Sequence, residues 1–376
     1  MDLTYWLGQA VQEIQEWADD WEAFDPHPAM AVDDAALHEA FGELTGRLAG
    51  SYPFFHPYYA GQMLKPAHPV AVVGYLAAML INPNNHALDG GPATSALEEE
   101  AVGELAAMFG LDPFLGHLTS SGTVANLEAL FVARQCHPGR AIAFSSEAHY
   151  THARMCRLLG VPTRTVAVDK SGCMDLDALA ALLATGEIGT VVATAGTTSL
   201  GAVDPVHDIL DLARRHGARV HVDAAYGGFF TLLAQDEQSR LVPPDPWRAI
   251  PRCDSVVVDP HKHGLQPYGC GAVLFSDPSV ARFYDHDSPY TYFTSPDRHL
   301  GEISLECSRS GAAAAALWLT QKLLPLTAQR LGACLAAGRR AALHWADLIR
   351  TSEHLDLSSH RPSTSSPTSR VRALRR

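Results

Sequence analysis

Val256-Val257-Val258-Asp259-Pro260-His261-Lys262-His263-Gly264 is the segment of this 376-residue chain with the most chemistry in it. Its β-branched apolar run reads as a buried strand. Pro260 breaks the run, and the chain then presents Lys262 between two histidines, ahead of a glycine. An amine at the exit of a core strand is poorly hydrated, and desolvation lowers an ammonium pKa, which makes a usable nucleophile. Such an amine can hold an aldehyde cofactor as a Schiff base. A lysine after a strand is commonly a solvated loop residue instead, and its companions upstream decide between the two.

The first companion is Leu118-Thr119-Ser120-Ser121-Gly122-Thr123-Val124, a small-residue loop opening into a helical pattern through Leu127, Leu130 and Phe131. Free N–H groups and the dipole at such a helix start favour a phosphate, although the same residues also make an ordinary cap. Next, a strand through Phe144 ends in polar residues and His149, which can stack on a planar ring or cap the following helix. Val191–Thr194 then runs into the turn Gly196-Thr197-Thr198. Finally Val220-His221-Val222-Asp223 ends a strand on a carboxylate, where an unpaired charge is expensive. A protonated pyridine nitrogen would neutralise it, and a helix N-cap role would also satisfy it. Ala225 and the glycines beyond it leave room for a flat ring.

With His56-Pro57-Tyr58-Tyr59 and Pro92-Ala93-Thr94-Ser95-Ala96-Leu97-Glu98, this ordered series resembles the group II pyridoxal-phosphate-dependent amino-acid decarboxylases. These belong to the aspartate-aminotransferase-like fold type I, and the likeness runs from about His56 to about Leu324. The resemblance implies that Lys262 forms the Schiff base with pyridoxal phosphate and that His261 helps hold the phosphate. Gly122 and Thr123 would supply further phosphate contacts. His149 would stack on one face of the ring and Ala225 on the other, with Asp223 on the pyridine nitrogen. Thr197 or Thr198 would lie near the phenolic oxygen or the substrate carboxylate. The implied reaction converts an L-amino acid to its amine and carbon dioxide, with Lys262, His149 and Tyr292 as catalytic residues. Tyr292 lies in Tyr290-Thr291-Tyr292-Phe293, where the family carries a mobile loop; both tyrosines would also suit a packing seam. The family further implies a homodimer with active sites at the subunit interface. Fold and cofactor do not fix reaction type, so carbon–carbon lyase or aminotransferase chemistry, or an inactive remnant that acts as an interaction protein, remain alternatives.

The elements that must position these residues alternate along the chain. Strand-like runs at Ala141–Phe144, Thr163–Val168, Thr190–Thr194, Val220–Val222, Ser255–Val258 and Ala272–Phe275 are separated by helical patterns. Such alternation predicts an α/β large domain, with a mostly parallel central sheet flanked by helices and sites at the strands' carboxyl ends. Residues 1–55 read as an amphipathic helical arm, 56–310 as the cofactor-binding large domain, and 311–357 as the helical start of a C-terminal domain. Residues 358–376 are basic, rich in serine and of low hydrophobicity, the composition of a disordered tail. The small C-terminal domain of the family is therefore expected to be largely missing, through truncation or a frameshift.

A formal net charge of −13 argues against nucleic acid or an anionic membrane as partner; a small-molecule amino acid as substrate is what the resemblance implies. Seven scattered cysteines without a Cys-x-x-Cys pair predict reduced thiols and a cytoplasmic location. Val70–Ile81 is apolar but shorter than the roughly 20 residues a bilayer needs, and is expected to be a buried helix. No metal is expected, because Lys262 between His261 and His263 would repel an ion. Phe54, Phe55, Tyr58 and Tyr59 could line an aromatic side-chain pocket or pack in the core.

Overall fold

Side-chain alternation along the strands decides what each residue faces. The computed structural model describes residues 1–22, 25–56, 59, 63, 65–236, 240–285 and 299–355. Among these, seven strands form one sheet: β1 (Leu115–Thr119), β2 (Ala141–Ser145), β3 (Thr163–Val166), β4 (Ile188–Thr194), β5 (Arg219–Asp223), β6 (Ser255–Val258) and β7 (Gly271–Phe275). Their spatial order is β1-β7-β6-β5-β4-β2-β3. Neighbours from β3 across to β6 pair in parallel, and β7 runs antiparallel to both β6 and β1. The mostly parallel sheet expected from the sequence is present.

Among the described residues four α-helices precede the sheet: α1 (Leu3–Asp19), α2 (Asp34–Leu48), α3 (Pro69–Ile81) and α4 (Pro92–Phe109). Between the strands come α5 (Gly122–Cys136), α6 (Thr151–Leu159), α7 (Leu176–Leu183), α8 (Val206–Arg215) and the short α9 (Thr231–Ala234) and α10 (Asp245–Arg248). Beyond β7 lie α11 (Gly311–Leu323) and α12 (Leu331–Arg350).

Both sheet faces are covered. Val191, Ala193, Val220, Val222, Val256 and Val258 share a core with Leu105 and Phe109 of α4 and Ile209 and Leu210 of α8. On the other face Val257, Val273 and Phe275 pack against Ala125, Ala129 and Val132 of α5. Because side chains alternate along a strand, His221 and Asp223 fall on the α5 face between the valines that face α4 and α8. That alternation sends the polar residues of β5 to one side of the sheet, at its carboxyl edge.

Three elements differ from their sequence signals. Leu118 and Thr119 are not loop but the end of β1, whose signal is masked by Gly116 and His117. Gly116 is required there, since a Cβ would come 2.8 Å from Leu274 Cδ2 and 2.9 Å from Val273 O. α3 is buried only along Val70, Ala71, Gly74 and Ala78, where it packs on α11; Met79, Leu80 and Ile81 are exposed. The helical run after Arg309 is two helices, because Pro325 cannot continue α11 past Leu324.

α1 and α2 bury no residue, and Trp6, Trp17, Trp21, Phe41 and Leu44 are exposed. Among the described residues no helix is long and apolar enough to cross a membrane.

Candidate active site

The chain leaves β6 through Asp259 and Pro260 and folds back in a tight turn, with Lys262 N–H donating to Asp259 O and Gln266 N–H to Pro260 O. That turn brings Lys262 Nζ to 2.9 Å from Asp259 Oδ2. The lysine is therefore paired and about a fifth exposed, not isolated in apolar surroundings as the strand exit alone implied. Asp259 is buried; desolvation pushes its carboxyl up and the Lys262 charge opposes this. The flanking histidines part company. His261 lies against the Tyr268 ring with its Nδ1 accepting from Cys270 N–H, whereas His263 packs between Tyr226 and Phe230. Burial lowers the pKa of both, His263 to about 4.

The start of α5 meets this turn. Ser121 caps the helix by accepting from Val124 N–H, and a Cβ on Gly122 would come within 2.5 Å of both Asp259 carboxylate oxygens. Only glycine lets the helix N-terminus approach the lysine turn so closely. A buried polar chain fixes its position: Asn126 Nδ2 donates to Gly122 O, and Asn126 Oδ1 and Ser255 Oγ bond the two ring nitrogens of His221. With Asn126 Oδ1 as acceptor, His221 Nε2 carries the proton and Nδ1 accepts from Ser255. Burial takes the His221 pKa down to about 3, consistent with that neutral tautomer.

Asp223 ends β5 with both oxygens engaged. Oδ1 accepts from Ala225 N–H at 3.1 Å, and Oδ2 lies 2.8 Å from His152 Nε2. Burial opposes its ionisation, but the hydrogen bond and charge of His152 outweigh it and hold the carboxyl well below the usual range. His149, three residues before His152, accepts from Thr151 N–H through Nδ1, and burial lowers its pKa.

Lys262, Asp259, His261, Gly122, Thr123, Asn126, His149, Asp223 and Ala225 line one cavity of about 370 Å³, together with Ser121, Tyr150, Thr198, Tyr226 and Tyr268. Thr197 is not in this lining: it is buried, and its hydroxyl accepts from Ala202 N–H within the turn, leaving Thr198 at the cavity wall. Tyr292, Pro57 and Tyr58 lie outside the described residues. Phe54 and Tyr59 pack edge to face at 5.1 Å away from this cavity, and Phe54 and Phe55 are exposed, so they form neither its wall nor a core.

Sequence reasoning missed His152, Asn126 and a role for Asp259. His152 had a signal in its spacing of three from His149, which puts both on one side of a helical turn. Asn126 is visible only as a polar residue in an apolar helical stripe. No group of three or more metal-ligating side chains is assembled among the described residues.

Residues 48–353 match the model of the pyridoxal-dependent decarboxylase conserved domain. The chain belongs to this family. It is 28% identical to an L-tyrosine decarboxylase of Enterococcus faecium, over 90% of this chain and 70% of that protein. It is 31% identical to an L-2,4-diaminobutyrate decarboxylase of Rhizobium meliloti, over 94% of this chain and 72% of that one. Among solved structures, mouse CSAD superposes with a TM-score of 0.77 at 25% identity, over 93% of this chain and 74% of the other. Oryza sativa TDC with PLP and tryptamine shares the fold at a TM-score of 0.76 and 20% identity, over 96% and 81% of the two chains. By its family the chain is thus a pyridoxal-phosphate-dependent carboxy-lyase, with pyridoxal phosphate as its cofactor.

The residues of the cavity fit that cofactor. It needs an amine, an anion cradle, a flat slot and a carboxylate, and the cavity brings together Lys262, the α5 N-terminus, Ala225 and His149, and Asp223. Asp259 Oδ1 and Thr194 Oγ1 are buried without hydrogen-bond partners among the described residues, which leaves polar capacity at the same edge.

Proposed function

We propose that this cavity decarboxylates an L-amino acid to its amine, with Lys262 Nζ as the amine that carries the cofactor. The convergence of Lys262, Asp223, His149 and the α5 N-terminus on one cavity supports this reading above any other observation. Gly122, Thr123 and His261 would receive the phosphate, where helix N–H groups favour an anion and the His261 Nε2–H can donate to it. His149 and Ala225 would take the two ring faces, and Asp223 the ring nitrogen. Bound there, the cofactor supplies an electron sink for the bond that releases carbon dioxide. Asp223 would keep a proton on the ring nitrogen, for which a buried, ionised carboxylate is suited. Asp259, 2.9 Å from Lys262, is positioned to take the proton that the amine must lose before it reacts. Of the two threonines, Thr198 rather than Thr197 has a free path to a substrate. Tyr292 as the catalytic acid rests on the family resemblance.

We further infer a homodimer. The exposed tryptophans of α1 and the exposed Phe41 and Leu44 of α2 support it, since an apolar arm of this kind normally has a partner. Seven unpaired thiols support a reducing, cytoplasmic setting.

Purified chain mixed with pyridoxal phosphate tests the assignment, beside Lys262→Ala, before and after borohydride. A visible cofactor band that borohydride fixes to the wild type and that is absent in the variant supports it, followed by carbon dioxide release from a panel of amino acids. A folded wild type with no band, or a band with an oxo acid or aldehyde as product, would overturn it.

A further inference from the structure

The first turn of α6 and the segment leading into it bear on the cofactor from two directions. His149 lines the cavity, and His152, wholly buried in α6, stands behind Asp223. His152 Nε2 lies 2.8 Å from Asp223 Oδ2, while its Nδ1 is buried with no hydrogen-bond partner among the described residues. Its ring packs 5.9 Å from that of Phe144, centre to centre. A side chain buried for packing alone would not carry nitrogens here, because an apolar residue fills such a space without stranding a polar atom. His152 leaves one nitrogen stranded and makes one bond, and that bond goes to the carboxylate that meets the cofactor ring. The other oxygen of Asp223 is tied to Ala225 N–H. Each oxygen therefore has one donor from the protein and spare lone pairs for a third.

We propose that His152 is a positioning residue for the cofactor: its Nε2–H holds Asp223 ionised and oriented, and so keeps the pyridine nitrogen protonated. The proposal rests on cofactor binding in this cavity and not on which reaction follows. Removing the donor leaves a buried carboxylate oxygen unpaired, which favours its neutral or displaced form. The ring nitrogen then loses the partner that keeps its proton.

The test uses pyridoxal phosphate labelled with ¹⁵N in the ring, bound to wild type, His152→Leu, His152→Phe and His152→Gln. The ring-nitrogen resonance at neutral pH reports protonation directly, and equilibrium dialysis reports cofactor affinity. The wild type should show a protonated ring. The Leu and Phe variants should move toward the neutral position and bind about tenfold more weakly, the size of one hydrogen bond to a charged group. Gln, which can donate from a similar position, should restore the wild-type resonance. Leu and Phe variants with wild-type resonance and affinity, at whatever melting temperature, would make His152 a packing residue and overturn the proposal. If neither folds, a folded Gln variant with a neutral ring overturns it, and one with a protonated ring upholds it. A wild type that takes up no labelled cofactor overturns the cofactor reading as well.

Discussion

Asp259 Oδ2 sits 2.9 Å from Lys262 Nζ, so the turn that delivers the amine also carries the carboxylate that holds it. Asp259 is 2% exposed at its side chain, and the next basic side chain beside it among the described residues, the His261 imidazole, lies at 3.6 Å. Lys262→Ala should therefore destabilise the cofactor-free chain by about 3 kcal/mol, the cost of stranding one member of a buried pair. The double variant with Asp259→Asn should recover most of that loss. Urea unfolding of the three chains without cofactor decides it; equal midpoints for the single and double variants would refute the coupling.

Gly122→Ala places a methyl group 2.5 Å from both carboxylate oxygens of Asp259. The helix start must then retreat from the lysine turn. A loss of about 1–3 kcal/mol is expected from overpacking, with a larger proportional loss of cofactor after desalting. Full retention of cofactor would show that the close approach is not needed for the phosphate.

Arg309 joins α4 and β1. Its Nη1 donates to Glu98 Oε1 of α4 and to Leu118 O of β1, while Glu98 also accepts from Leu118 N–H and Asn85. Arg309→Leu should cost about 3–5 kcal/mol by leaving Glu98 buried and unpaired. Glu98→Gln in the same chain should return part of it. Thermal unfolding of both variants is the check, and a loss that Glu98→Gln does not reduce would count against an ionic cause.

Burial raises the Glu128 carboxyl from 4.5 to about 7, against opposing bonds from Leu305 N–H and Ser304. Its Oε2 lies 3.0 Å from His117 Nε2 but is not aligned for a hydrogen bond. The folded state thus holds this proton more tightly than the unfolded one. Its stabilising contribution is complete below about pH 4.5 and is lost as pH rises through about 7. Asp204, raised by burial to about 6, acts in the same sense. His117, His221 and His263, lowered by burial, act in the opposite sense below 6.5. The difference between wild type and Glu128→Gln isolates the term: the variant should gain relative stability between pH 5 and 8. Parallel pH profiles in urea would exclude it.

Much of the site was legible along the chain. Lys262, Asp223, His149, Gly122 and Ala225 each lie at or just past a strand end or at a helix start, where alternation and loop chemistry are local properties. β1 was hidden because its glycine answers to a neighbour remote in sequence, Leu274, and its histidine is buried against Glu128 of the following helix. Thr197 and Thr198 were indistinguishable until the turn engaged the first hydroxyl with Ala202.

The sequence by itself determined the alternation of strands and helices apart from β1, the family, and the residue types offered to a pyridoxal cofactor, because hydrophobic period and motif spacing act over a few residues. Tertiary structure alone decided the partners: Asp259 on Lys262, His152 on Asp223, and Asn126 between His221 and Gly122. Those bonds span separations of up to 95 positions, or depend on how a turn closes. The cost of burying a polar atom is settled by what packs against it, and no local pattern encodes that neighbour.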